Sequence, residues 1–506
     1  MHKLLTLLLL AVCSFHMTAQ TNYYVSNSGN NSNNGLSMAT AFLTIQHAAD
    51  LVTAGDTVFI ANGTYAGFDL RNTNGTAVLP IVFFGLGDNV LLNTKGPIRN
   101  DIVNIENADY IVIDGIIAND ALINGNGIRL VLSDNCVVRN CSCDNNQERG
   151  IFTGFTDDIL IENNICTNSI DEHGIYVSNS SDRPIIRFNE CYGNNAIGIH
   201  MNGDLSAGGD GIISDAEVYG NIIYDNNLAA GINMDGVEDP IVYNNLIYNN
   251  HSAQGIALFQ QDGAIVTSGA KIYNNTIIVP SDGRWGILMT NGANVNTEVY
   301  NNIIINQHAW RGCITVESIS QLTSDYNIVN DKMSDSGDGS TISLASWQAL
   351  GLDTNSQLGD PLDMIFTDPV NDDYHLIETS QAVDTGTNMV NGIVVDDLEG
   401  NLRPVGTAYD IGAYEFKLIL EAHIVTSTSD ITIYPNPFTD SVILDGDFSE
   451  YEIIVYDEVG NLVTDYTGAG APLTIDLSAL GAGIYFVSVQ STVHNDLSVY
   501  KIIKDN

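Results

Sequence analysis

A glycine-isoleucine pair that restarts at a nearly constant interval constrains this chain more than any other feature. It recurs at Gly127, Gly150, Gly174, Gly198, Gly231, Gly255 and Gly286, in steps of 23, 24, 24, 33, 24 and 31 residues. Self-similarity at such a period marks an array of stacked units, each too small to bury its own apolar face. About 24 residues suit one turn built from three short strands. The expected fold is therefore all-β, a right-handed parallel β-helix, with the two longer steps as loop insertions. Composition agrees: 46 glycines against 11 prolines leave room for many tight turns.

A second register repeats with the first. Strand-like runs end in asparagine at Asn164, Asn189, Asn221, Asn245, Asn275, Asn302 and Asn327, which predicts a ladder of stacked amides. Two residues further on lie Cys143, Cys166 and Cys191, where later turns place Ile223, Ile247 and Ile277. That substitution pattern reads as small apolar filling by reduced thiols, and the cysteines lack the paired spacing of a metal site.

Residues 1–20 read as a signal peptide, with Lys3 ahead of the apolar run Leu4–Val12 and a small-residue region at Thr18-Ala19-Gln20. No other apolar run is long enough to span a bilayer. The formal charge of −44, from 17 basic and 61 acidic side chains, excludes a general nucleic-acid or anionic-membrane surface.

Strand alternation decides which side chains face outward. In Gly174-Ile175-Tyr176-Val177-Ser178, Ile175 and Val177 point inward and Tyr176 outward. The same phase aligns Arg129, Phe152, Tyr176, His200, Asn233, Ala257 and Leu288 in one outer column, with Ser178, Asn202 and Asp235 in the next. The loops around these strands add Glu172 and His173 on one side and Asp204 and Asp210 on the other, the latter within one of the insertions. This patch has the parts for eliminative cleavage of a uronate: His200 or His173 as base, Tyr176 as acid, Asn202 and Asn233 on the carboxyl, and Asp204, Asp210 or Asp235 holding Ca2+. A hydrolase needs two carboxylates, for which Glu172 with Asp235 or Asp204 are the candidates. Trp285, Arg284 and Arg311, toward the C-terminal turns, are candidate substrate contacts.

The segment TNYYVSNSGNNSNNGLSMATAFLTIQHAADLVTAGDTVFIANGTY resembles the N-terminal cap of secreted β-helix proteins of the pectate-lyase-like superfamily, and supplies an amphipathic helix over roughly 41–52 that can cover the open end of the coil. The Gly55-Asp56 turn is expected to lead into the first strand of the stack. DPLDMIFTDPVNDDYHLIETSQAVDTG, running on to Tyr409-Asp410-Ile411-Gly412-Ala413-Tyr414-Glu415, resembles the module that closes many such coils. ITIYPNPF, GIYFVSV and the basic end Lys501-Ile502-Ile503-Lys504 are similar to the type IX secretion sorting domain, which implies a small β-sandwich, a partner in the outer-membrane export machinery, and a protein secreted or held at the cell surface. The expected organisation is a signal peptide over 1–20, cap and β-helix over 21–358, a closing module over 359–416, a linker over 417–430 and a sorting domain over 431–506. The scaffold resemblance implies a monomeric polysaccharide-active protein, a lyase ahead of a glycoside hydrolase or epimerase, with a non-catalytic adhesin as the competing reading. The NTD triplet followed by a DD pair and GHG that marks pectin hydrolases does not occur, nor does the DPH motif of alginate epimerases.

Overall fold

The computed structural model describes residues 20–417, 431–446, 451–457, 462–468, 472–491 and 497–505. The signal-peptide expectation, save Gln20, and the linker expectation, save Lys417, lie outside the described residues. The chain divides into two units, one ending at Lys417 and one beginning at Leu418.

The first unit is a parallel β-helix. Ten strands from Phe68–Arg71 to Ile314–Val316 form one fully parallel sheet in chain order, and a 22-stranded parallel sheet with a two-stranded one carries the rest of the coil. The repeat register is the one the glycine spacing predicts: Ile151 pairs with Ile175, Ile175 with Ile199, Ile199 with Ile232 and Ile232 with Ile256. Glycine heads each repeat because neighbouring turns approach closely there. A Cβ on Gly198 would meet Ile223 Cγ2 at 2.4 Å and Gly231 O at 2.9 Å, and one on Gly255 would meet Gly286 O at 2.5 Å.

Inside the coil, Cys143 pairs with Cys166, Cys166 with Cys191 and Cys191 with Ile223. All six described cysteines are buried and free. The asparagines form a continuous buried ladder in which Nδ2 of each donates to Oδ1 of the next, from Asn164 through Asn189, Asn221, Asn245, Asn275 and Asn302 to Asn327, at 2.9–3.1 Å. The left-handed backbone is not theirs, however. It belongs to the residue before each rung, among them Asn163, Phe188, Asn244, Asn274 and Asn301. The amide is present for its hydrogen bonds, and the turn conformation is carried by its neighbour. A second ladder, Asn194 to Asn226 to Asn250, runs parallel to the first.

The cap helix is shorter than the sequence suggests, Ile45–Ala49, because Phe42 is drawn into a bridge with Val25. Ile45, Ala48 and Ala49 are its buried residues, and Thr44 Oγ1 caps it by accepting from His47 N. The stack also begins earlier than Gly55-Asp56, since Asn22–Val25 already pairs with the strand Thr57–Tyr65. At the other end, residues 359–416 pack on the coil through the same row of left-handed asparagines: Asn244 Nδ2 donates to Asp396 O, Asn274 Nδ2 to Asp410 O and Asn301 Nδ2 to Thr387 O.

The second unit holds two antiparallel sheets, one of three strands and one of four. Phe438, Val442, Leu444, Ile453, Val455, Val487 and Ile502 are buried together in its core.

Candidate functional site

The ten-stranded sheet carries the outer column in the expected register. Arg129 pairs with Phe152, Phe152 with Tyr176, Tyr176 with His200, His200 with Asn233, and Asn202 with Asp235. Parallel strands stack about 4.8 Å apart, and the rings use that spacing. Tyr176 lies flat on His200, with centroids 4.7 Å apart and 18° between planes, and His173 meets both edge-on at 5.2 and 4.7 Å. Arg149, the residue before the glycine of its own repeat, places its guanidinium over Phe152 at 5.3 Å and Tyr176 at 4.9 Å. Sequence reasoning missed Arg149. Its position one residue ahead of Gly150, as His173 is ahead of Gly174, was the available signal.

The hydrogen bonds around the histidines fix where their protons sit. Ile197 N–H donates to His173 Nδ1 at 3.2 Å, so that nitrogen offers a lone pair and the neutral ring carries its proton on Nε2. His173 Nε2 in turn faces Glu172 Oε2 at 2.9 Å and His200 Nδ1 at 3.0 Å. His200 Nδ1 is thus an acceptor, and its own proton points outward on Nε2. In this arrangement both His173 nitrogens and the inner His200 nitrogen are engaged within the protein, and only His200 Nε2 has no protein partner among the described residues. Burial, with His173 and Arg149 adding to it, holds His200 well below the usual imidazole range, and burial lowers His173 as well. Both rings are neutral near pH 7. The hydrogen bond from His173, with Arg149 nearby, holds Glu172 below the usual carboxylate range, so it is ionised and is no general acid.

Burial raises Tyr176, and its phenol oxygen accepts from Asn202 Nδ2 at 3.2 Å. Asn202 Nδ2 also reaches Asp262 Oδ2 at 3.4 Å, a carboxylate that sequence reasoning did not single out. Asn233 is 5% exposed, and its amide has no protein partner among the described residues.

Several expected roles are corrected. Asp235 is a structural clamp: its carboxylate accepts from Gln261 N at 2.8 Å, Asp262 N at 2.7 Å and Gly263 N at 3.2 Å. It anchors a loop that also pairs with the insertion, through Leu205 N to Asp262 O and Ala264 N to Gly211 O, and together these make one wall beside Asn202. Asp235→Ala is expected to free that wall, raising hydrogen exchange at residues 203–212 and 260–264 at least tenfold, with the coil amides unchanged. Asp204 caps the short turn Leu205–Ala207 through Ser206 N and receives Asn179 Nδ2, and Asp210 closes a local turn onto Ile212 N. Among the described residues these three carboxylates do not converge as metal ligands, and Glu172, Asp204 and Asp235 each hold protein partners. Trp285 is fully buried with its indole N–H on Asp338 Oδ1, so it is no sugar platform. Trp310 beside it is 42% exposed. Arg311 lies over Trp310 at 4.4 Å and forks onto Asp338 at 2.9 and 3.0 Å, while the Arg284 guanidinium makes no hydrogen bond or ion pair among the described residues and acts on Asp338 only through its charge.

Two grooves of about 380 and 490 Å3 lie against the 22-stranded sheet instead, around Asn163, Ile165 and Phe188 and around Gly85, Asp114 and Asn140. No histidine lines either.

Comparison with known proteins agrees with this architecture. Residues 49–257 match the model of a family described as periplasmic copper-binding protein (NosD), and residues 432–505 match that of the secretion system C-terminal sorting domain. The chain is an exported parallel β-helix protein. Among solved structures, this exported β-helix is similar to the pectate lyase Pel9A, at 15% identity and a TM-score of 0.54, with 79% of this chain and 98% of that one covered. A rhamnogalacturonan lyase covers 56% of this chain and 87% of its own at 15% identity and TM-score 0.42. The catalytic unit of an α-1,3-glucanase from Streptomyces thermodiastaticus strain HF3-3 covers 56% of each at 16% identity and TM-score 0.44. At these identities the likeness is one of fold alone. No curated protein matches. Sorting through the C-terminal domain places the exported β-helix outside the cell, released or held at the outer membrane, and no helix among the described residues is long and apolar enough to cross a membrane.

The copper in that family description finds no donor set here. Among the described residues no three His, Cys, Asp or Glu side chains converge as metal ligands. Cys143, Cys166 and Cys191 stack single file inside the coil, and His173 and His200 bond to each other, to Glu172 and to backbone.

Proposed function

We propose that this exported β-helix cleaves a uronate-containing polysaccharide by β-elimination on the outer face of the ten-stranded sheet. The observation that carries the reading is the stack of Tyr176, His200 and Asn233 in three successive turns, with two outward donors left over for a ligand, the His200 Nε2–H and the Asn233 amide. Those neutral donors suit the carboxylate of a uronate, whose enolate-like charge grows as the proton beside it leaves. Tyr176 is the proton carrier. As phenolate it takes the C5 proton; electrons close the C4–C5 double bond, the C4–O bond breaks, and the same phenol returns the proton to the leaving oxygen. The Asn202 N–H holds the phenol oxygen in place throughout. A hydrolase would need two disengaged carboxylates across the bond, and Asp235 and Glu172 are committed elsewhere.

The test is to offer polygalacturonate, alginate and a neutral xylan to the exported protein while following unsaturated-product absorbance and new reducing ends. Unsaturated product from an acidic glycan is expected. New reducing ends without unsaturation would overturn elimination in favour of hydrolysis, and binding with no product of either kind would leave an adhesin. Because burial raises the Tyr176 phenol above its ordinary value near 10, the phenolate is scarce at neutral pH and grows about tenfold per pH unit. The kcat should climb in proportion up to at least pH 9. A bell centred near pH 6 would point to an imidazole base instead.

A further inference from the structure

The sheet edge beside the site is electrically one-sided. Carrying the strand registers back three residues from the paired isoleucines aligns, along the loop edge, Glu148 and Glu172, then three alanines, then Arg284 and Arg311. The acidic pair sits at the Tyr176 end, where Arg149 lies 3.3 Å from Glu148 and 3.7 Å from Glu172. The basic pair sits toward the C-terminal turns. Among the described residues Asp338 is the one carboxylate paired with either arginine, so the two guanidinium groups carry one positive charge in excess of it, in a chain whose formal charge is −44.

The basic end is also built. Trp285 is wholly buried, its indole N–H fixed on Asp338, and Trp310 stands edge-on against it at 6.1 Å and is 42% exposed. Asp338 therefore fixes Trp285 and Arg311 together, and Arg311 in turn covers part of Trp310. Between the site and this platform the outer column passes through the buried Ala257 and the partly exposed, apolar Leu288. Arg284 and Arg311 precede the second and third strands beyond that of Asn233, about 10 and 14 Å along the coil at the usual spacing.

We propose that the glycan runs from the Tyr176–His200–Asn233 cluster toward the C-terminal turns, and that Arg284, Arg311 and Trp310 form a distal subsite for a second carboxylate-bearing sugar. This rests on the elimination reading for the place where the chain starts, but not for the existence of the platform. Charge decides the direction: a polyanion laid the other way would meet Glu172 and Glu148, whereas this way it meets Arg284, whose guanidinium makes no hydrogen bond or ion pair among the described residues, and a positive charge in excess of Asp338.

The test measures binding without turnover, by calorimetry on the full exported chain carrying Tyr176→Phe, with galacturonate and mannuronate dimers and octamers as probes. Adding Arg284→Ala is expected to weaken octamer binding about tenfold, as loss of a charge-assisted contact does, and to reduce the octamer-to-dimer affinity ratio by the same factor. Trp310→Ala, which leaves Arg284 and Asp338 in place, should shift the ratio in the same direction. Added salt should weaken the octamer more than the dimer. Unchanged octamer affinity in both variants overturns the subsite, as does an equal loss for dimer and octamer. If octamer binding falls as expected yet no acidic glycan ever gives unsaturated product, the subsite stands and the elimination reading fails.

Discussion

Tyr176→Phe is expected to lower turnover of the acidic glycan about 10^3-fold while leaving its affinity nearly unchanged, since a positioned acid-base group contributes on that order. The substitution removes one oxygen and keeps the ring. The stack on His200, the edge contact with His173 and the Arg149 guanidinium over its face all survive it. What is lost is the atom that accepts from Asn202 and, in the proposed reaction, carries the proton between C5 and the leaving oxygen. Initial rates from unsaturated-product absorbance, paired with affinity electrophoresis on the same glycan, separate the two effects. A variant retaining more than about a tenth of wild-type turnover would remove Tyr176 from the chemistry, because water or a remote group does not replace a positioned phenol that well. His200→Ala would not discriminate so cleanly, because it also removes the surface on which Tyr176 rests.

Asn245→Leu is expected to destabilise the coil by on the order of 4 kcal/mol, although the two side chains are nearly the same size. Asn245 is fully buried. Its Nδ2 donates to Val218 O, Tyr243 O and Asn275 Oδ1, while its Oδ1 accepts from the backbone and side chain of Asn221. Leucine answers none of these, and each group left dry inside the coil costs about 1–3 kcal/mol, relieved in part by local shifts. Asn163→Ala supplies the contrast. Asn163 is exposed and holds the left-handed turn, so only the backbone preference is lost, about 1–2 kcal/mol. Guanidinium unfolding midpoints of the two variants decide whether the ladder works through its amides or through its turns. Equal, small losses would mean that the amide chain contributes little.

The repeat itself was legible because the coil is nearly one-dimensional. Once each turn repeats the last, the offset between Gly150 and Gly174 is also the strand pairing, and the outer column of Phe152, Tyr176, His200 and Asn233 follows by alternation alone. The buried cysteine stack and the asparagine ladder were legible for the same reason. Local signals at the ends misled: Phe42 lies in a helical pattern yet serves as a strand residue, since pairing with Val25 is available only after the chain folds back.

What a side chain is engaged with was not legible. Asp235 faces outward in the register, as expected, yet its oxygens are taken by backbone N–H groups some 26 to 28 positions away. Trp285 looked like a surface ring until Asp338, more than fifty positions on, covered its indole. The tautomers of His173 and His200 hang on a single amide, Ile197 N–H, contributed by the next turn. The sequence by itself determined the coil, its register, the outward face and the export domain, because these follow from short-range periodicity and motif. Only the tertiary structure decided which polar groups on that face remain free to act, because a hydrogen-bonding group is spent or available according to partners brought in from other turns.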